Sequence, residues 1–82
     1  ISSSVMSISS KVITIASSAN ATVADLYAAL EVDGGNAADY FEVVSPFGAI
    51  YGEKDTTAVT DSMTVVLHLD GAADATYTIT LN

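Results

Sequence analysis

The chain lacks cysteine, tryptophan and arginine, and its 82 residues include one proline, one histidine and two lysines. Without cysteine, neither a disulfide nor a thiolate metal site can supplement the core. Lys11 and Lys54 stand against ten acids, for a net charge of −8. Two cations cannot line a phosphate track, so nucleic acid is excluded as a partner. Anionic membrane surfaces repel the chain for the same reason. No apolar run approaches the roughly 20 residues of a helical membrane span, so membrane insertion is not expected. The one histidine, His68, has no nucleophile in an activating sequence context, and the expectation is a protein without catalysis. What is present is apolar: half the residues, mostly Val, Ile, Leu and Ala. Such a composition builds a core, and this length holds one, so residues 1–82 read as a single domain.

Alternation and spacing predict the elements. Val5–Ile8 and Val12–Ile15 are short β-type runs separated by Ser9-Ser10-Lys11, a hairpin or kinked pair. Thr22-Val23-Ala24-Asp25 opens a helix, with Thr22 as N-cap and Asp25 as the reciprocal acid. Val23, Leu26, Tyr27 and Leu30 follow at the spacing of one buried stripe, and Gly34-Gly35 is the expected stop. Tyr40 to Ser45 alternates, with Phe41 and Val43 on one face and Tyr40, Glu42 and Val44 on the other. Pro46-Phe47-Gly48 turns the chain into a return strand at Ala49-Ile50-Tyr51. Met63, Val65, Leu67 and Leu69 define one face of a further strand, opposite Thr64, Val66, His68 and Asp70. Asp70 to Asp74 is a turn, and Tyr77, Ile79 and Leu81 alternate with Thr76, Thr78 and Thr80. The order β-β-α-β-β-β-β predicts an α+β, mostly β domain, with one short helix packed on a mixed sheet in a β-grasp-like plan. A small immunoglobulin-like sandwich is the alternative.

Several of these segments resemble a known pattern. Thr22-Val23-Ala24-Asp25-Leu26 opens a helix that ends Ala28-Ala29-Leu30. The stretch Val59 to Val66 follows, and the chain closes with Asp70-Gly71 leading to Thr76-Tyr77-Thr78-Ile79-Thr80-Leu81. Residues 12 to 82 thus resemble one repeat unit of the tandem-repeat surface and S-layer-associated proteins of bacteria. The resemblance implies a stalk, adhesin or lattice component at the cell surface, extracellular and without catalysis. Ala72-Ala73-Asp74 and the nearly uncharged first dozen residues depart from that pattern. The same helix is similar to that of ubiquitin-like sulfur carriers, but those act through a Gly-Gly tail, and this sequence ends Thr80-Leu81-Asn82.

Candidate site residues are few. Asp33, Asn36 and Asp39 place oxygen ligands at three-residue intervals around Gly34-Gly35. They supply part of the six to eight oxygens that Ca²⁺ requires, with a helix C-cap and turn as the competing explanation. No other cofactor is implied. Asn20-Ala21-Thr22 is a glycosylation sequon, although Thr22 already has a role as helix cap. Tyr40, Tyr51 and Phe47 are aromatics that a surface glycan could stack on, whereas Tyr27 and Tyr77 are placed for the core. Lys11 and Asn82 are the residue types of an intramolecular amide cross-link.

The first ten residues carry no charge, proline or glycine. Exposed edge strands normally carry protective charge, so such a segment is expected to pair. It is either the first strand of its own sheet or, through Val5, Met6 and Ile8, a strand given to a neighbouring copy. The functional expectation is a structural module of a surface protein or fibre that associates with identical domains. A glycan- or protein-binding adhesin module is the alternative.

Overall fold

The computed structural model describes residues 1–3, 6–32 and 39–82. Among the described residues there are eight strands: β1 (Ser2–Ser3), β2 (Ser7–Ser9), β3 (Val12–Ile15), β4 (Leu30–Glu31), β5 (Tyr40–Val44), β6 (Ile50–Tyr51), β7 (Thr64–His68) and β8 (Ala75–Leu81). The α-helix α1 spans Val23–Ala29, and a 3-10 turn spans Ser17–Ala19. Six strands form one sheet in the order β2-β3-β8-β7-β5-β6. All neighbours are antiparallel except β3 and β8, so the N-terminal hairpin joins the C-terminal strand in parallel. The remaining two strands, β1 and β4, make a two-residue ribbon. The architecture is α+β and mostly β, a short helix on a mixed sheet as expected. Among the described residues there is no second large sheet packed face to face on the first, as the sandwich alternative would require.

Register decides which side chains meet. Ile13 is opposite both Ile8 and Ile79, Val65 is opposite Tyr77 and Val43, and Val43 is opposite Tyr51. Because side chains alternate along a strand, these residues share one face. On it, Ile13, Ile15, Val43, Val65 and Ile79 pack with Val23, Leu26 and Leu30 of the helical segment. Val59 and Met63, from the long connection after β6, complete that core.

The same connection holds the helix start. Val23 and Ala24 donate their N–H groups to the carbonyls of Thr57 and Asp55, at 2.9 and 2.8 Å. Asp25 N–H donates to Thr22 Oγ1, and Asp25 Oδ2 accepts from Thr22 N–H, closing the predicted capping box. The helix stops before Gly34-Gly35. Leu30 is already extended, with φ −91° and ψ 140°, because Leu30 and Glu31 pair with Ser3 and Ser2. Strand pairing therefore overrides the helical propensity of the last turn.

Ser10 and Lys11 both have positive φ, 53° and 61°, between the paired residues Ser9 and Val12. This two-residue connection has the left-handed geometry that matches the twist of a hairpin. Lys11 thus sits at the start of β3. Asn82 lies at its other end, donating to the Ile15 carbonyl and accepting from Ser17 N–H. A four-residue strand separates the two by roughly 13 Å, too far for the amide cross-link.

Candidate functional site on the open sheet face and its edges

The helix covers one face of the sheet. The register assigns the opposite face to Ser7 and Ser9 of β2, Val12 and Thr14 of β3, and Thr76, Thr78 and Thr80 of β8. It continues through Thr64, Val66 and His68 of β7, then Tyr40, Glu42 and Val44 of β5, to Ile50 of β6. Threonine and valine are at home on such a surface because β-branched side chains suit a pleated sheet.

One polar cluster stands on this face. His68 Nε2 is 2.6 Å from Glu42 Oε1, and Nδ1 is 3.2 Å from Asp74 Oδ2. Tyr40 stacks on the imidazole at 4.7 Å between ring centroids. A neutral imidazole has a single N–H, so both contacts are hydrogen bonds only in the imidazolium form. The cluster ties β5, β7 and the turn before β8 together. Glu42 and Asp74 approach opposite ring nitrogens, so the three groups do not converge on one point. Among the described residues, no three His, Asp or Glu side chains are arranged to hold a metal ion. Of the proposed Ca²⁺ ligands, Asp33 and Asn36 lie outside the described residues. Asp39 is described, and its Oδ1 accepts the Asp70 N–H at 2.8 Å.

The three aromatics considered for glycan stacking are dispersed. Tyr40 is exposed on the open face, whereas Tyr51 packs against the core from the helix side. Phe47 is 94% exposed at the tip of the β5–β6 turn. That turn is held by one residue: Ser45 Oγ accepts from Phe47 N–H and Ala49 N–H at 3.2 and 3.0 Å. The Ser45 carbonyl also accepts from Gly48 N–H, and Gly48 has φ +89°, which a side chain would strain.

Tyr27 has a role that its helical spacing did not reveal. Its hydroxyl accepts the Val43 N–H at 2.9 Å and donates to the Tyr51 carbonyl at 2.7 Å. One side-chain oxygen therefore bridges β5 and β6, while the ring stacks on Phe41 at 5.2 Å.

Of the N-terminal residues considered for assembly, Val5 lies outside the described residues, and Met6 and Ile8 pack against the domain's own core. Strand β2 forms one edge of the six-stranded sheet, beside β3, and β6 forms the other. Asn20 is exposed and left-handed, with φ 50°, and its side-chain amide donates to the Ser18 carbonyl at 3.3 Å. The Thr22 hydroxyl of the same sequon is engaged as the helix cap. A groove of about 510 Å³ runs beside the helix, lined largely by alanines, among them Ala16, Ala19, Ala28 and Ala29.

No family model matches the chain, and neither a curated protein nor a solved structure does.

Proposed function

We propose that the chain is a non-catalytic structural module of an extracellular surface protein or fibre, held to neighbouring copies through contacts between sheet strands. The observation that supports this most is the placement of charge. Both outer strands of the six-stranded sheet, β2 and β6, lie in uncharged stretches, residues 1–10 and 43–52. In a chain of net charge −8, these are the stretches where two copies meet the least like-charge repulsion. An edge strand without charge or proline, as Ser7–Ser9 and Ile50–Tyr51 both are, is a template for pairing. The acidic, cysteine-free, serine- and threonine-rich composition and the resemblance to bacterial surface repeats favour the extracellular setting.

The test is electron microscopy and light scattering of the intact chain over a range of concentrations. Oligomers or filaments are expected, and particles of monomer size throughout would sink the proposal. One observation favours a second role, a glycan-binding adhesin module. Tyr40 offers an exposed ring with the carboxylates of Glu42 and Asp74 close by. A glycan array would detect it, with binding lost in Tyr40→Ala.

A further inference from the structure

The two edges are not equivalent, and their hydrogen-bonding phase shows how each can pair. In an antiparallel ladder, bonded and non-bonded residue pairs alternate. Ser45 N–H donates to the Ala49 carbonyl at 2.8 Å, so Ser45/Ala49 is a bonded pair. Val44/Ile50 is then a non-bonded pair and Val43/Tyr51 a bonded one, where the Tyr27 hydroxyl is inserted. The backbone N–H and C=O of Ile50 therefore point away from β5, out of the sheet. On β2, the two-residue turn makes Ser9/Val12 a bonded pair, so Ile8 is the outward residue there.

Side chains separate the two edges further. Ile8 is half-buried against its own core, and its neighbours Ser7 and Ser9 are polar. Ile50 is 60% exposed, and Phe47, 94% exposed, protrudes at the same edge. Two of the three large exposed apolar side chains of the described residues thus belong to β6 and the turn that leads into it. The third, Tyr40, stacks on His68.

We infer that the β6 edge pairs with the β6 edge of a second copy across a two-fold axis, with Ile50 opposite Ile50. The inference rests on the self-association proposed above and names its contact. In this register the two Ile50 residues exchange two N–H···O=C bonds, completing a bonded antiparallel pair. Opposed residues project on the same face, so the two Ile50 side chains meet on the open side. Gly48 comes opposite Gly52, and the missing side chains leave room for Phe47. The segment 43–52 is uncharged, so the contact brings no like charges together at its centre. A two-fold contact is the commonest form of self-association, and this one leaves the β2 edge for a second. Two short strands bury much less than the ~1,200 Å² of a standard interface, so the isolated contact is weak and strengthens when repeated along an array.

The experiment is sedimentation velocity of the intact chain up to about 1 mM, a range suited to weak contacts, with amide exchange followed by NMR. In the wild type, the mass rises toward a dimer and the Ile50 amide becomes protected as concentration rises. Ile50→Lys and Ile50→Pro both remain monomeric; proline removes the isoleucine side chain and the outward N–H, which faces away from β5 and has no bonding role in the β5–β6 ladder. Ser9→Lys, on the β2 edge, still dimerises. Association that survives both Ile50 variants, or that Ser9→Lys abolishes, overturns the β6 contact while leaving self-association intact. A wild type that stays monomeric throughout defeats both. The Ile50 amide reports on the contact without mutation, and unchanged exchange in an associating wild type also refutes it.

Discussion

Removing a single oxygen from Tyr27 tests how the β6 edge is held. Tyr27→Phe keeps the ring and its stacking on Phe41 but deletes the hydroxyl that links Val43 N–H to the Tyr51 carbonyl. Each hydrogen bond contributes about 0.5–1.5 kcal/mol net, and a buried polar group left without a partner costs about 1–3 kcal/mol. The bridge is half-buried, so water can reach one of the two orphaned groups in part. The expected loss is therefore about 2 kcal/mol, the sum of two ordinary bonds. A domain of this size has a total stability on the order of 4–12 kcal/mol, and the melting temperature should fall by roughly 8–16 °C. Urea unfolding followed by circular dichroism measures the loss, with an unchanged m-value showing that the unfolding reaction is the same. Amide exchange at Val43 should accelerate along with it. Tyr40→Phe, at an exposed ring, is the control and should stay within about 0.5 kcal/mol of wild type. A Tyr27→Phe loss below about 0.5 kcal/mol with Val43 still protected would refute the bridge, because β5 and β6 would then bond directly without it.

Three further predictions concern positions where local conformation or charge is under load. Ser10 and Lys11 sit at positive φ without being glycine, at a cost of about 1–2 kcal/mol per residue. Replacing them with Asn-Gly should raise stability by about 1 kcal/mol after the extra chain entropy of glycine, seen as a higher melting temperature. Thr22→Ala breaks the capping box and should cost about 1 kcal/mol in urea unfolding. Asp55 is held below its ordinary value of 3.8 by the Thr57 hydroxyl and, secondarily, by the Thr57 backbone N–H. A carboxyl with a lowered folded-state pKa contributes stability above its unfolded value and loses it as pH falls through the folded one. The wild-type urea midpoint should therefore drop below pH 3.8, and Asp55→Asn should flatten that part of the profile. An identical acid limb in the two proteins would count against the Asp55–Thr57 pairing.

Phase was readable from the sequence and register was not. Alternation in Tyr40–Val44, Thr64–His68 and residues 76–81 assigned each residue to the correct face, because one buried face imposes a period of two. The Val23, Leu26, Leu30 stripe located the helix for the same kind of reason. The β1–β4 ribbon left no signal, since two residues cannot show a period. That ribbon is also why Leu30 leaves the helix before Gly34-Gly35. The Tyr27 bridge depends on β5 and β6 lying beneath the helix, which its i+4 spacing does not express. Grouping Tyr40 with Tyr51 and Phe47 overlooked register: Tyr51 lies opposite Val43 on the core side, while Tyr40 shares the open face with Glu42. His68 meets Glu42 and Asp74 only because β7 lies between β5 and β8, an order no local pattern contains.

Self-association through sheet edges is most directly tested by sedimentation equilibrium of the intact, unmodified chain across a wide concentration range. The weight-average mass should rise above that of the 8.4 kDa monomer as concentration increases. A mass that stays at the monomer value over the whole range would contradict a structural module built to join copies of itself.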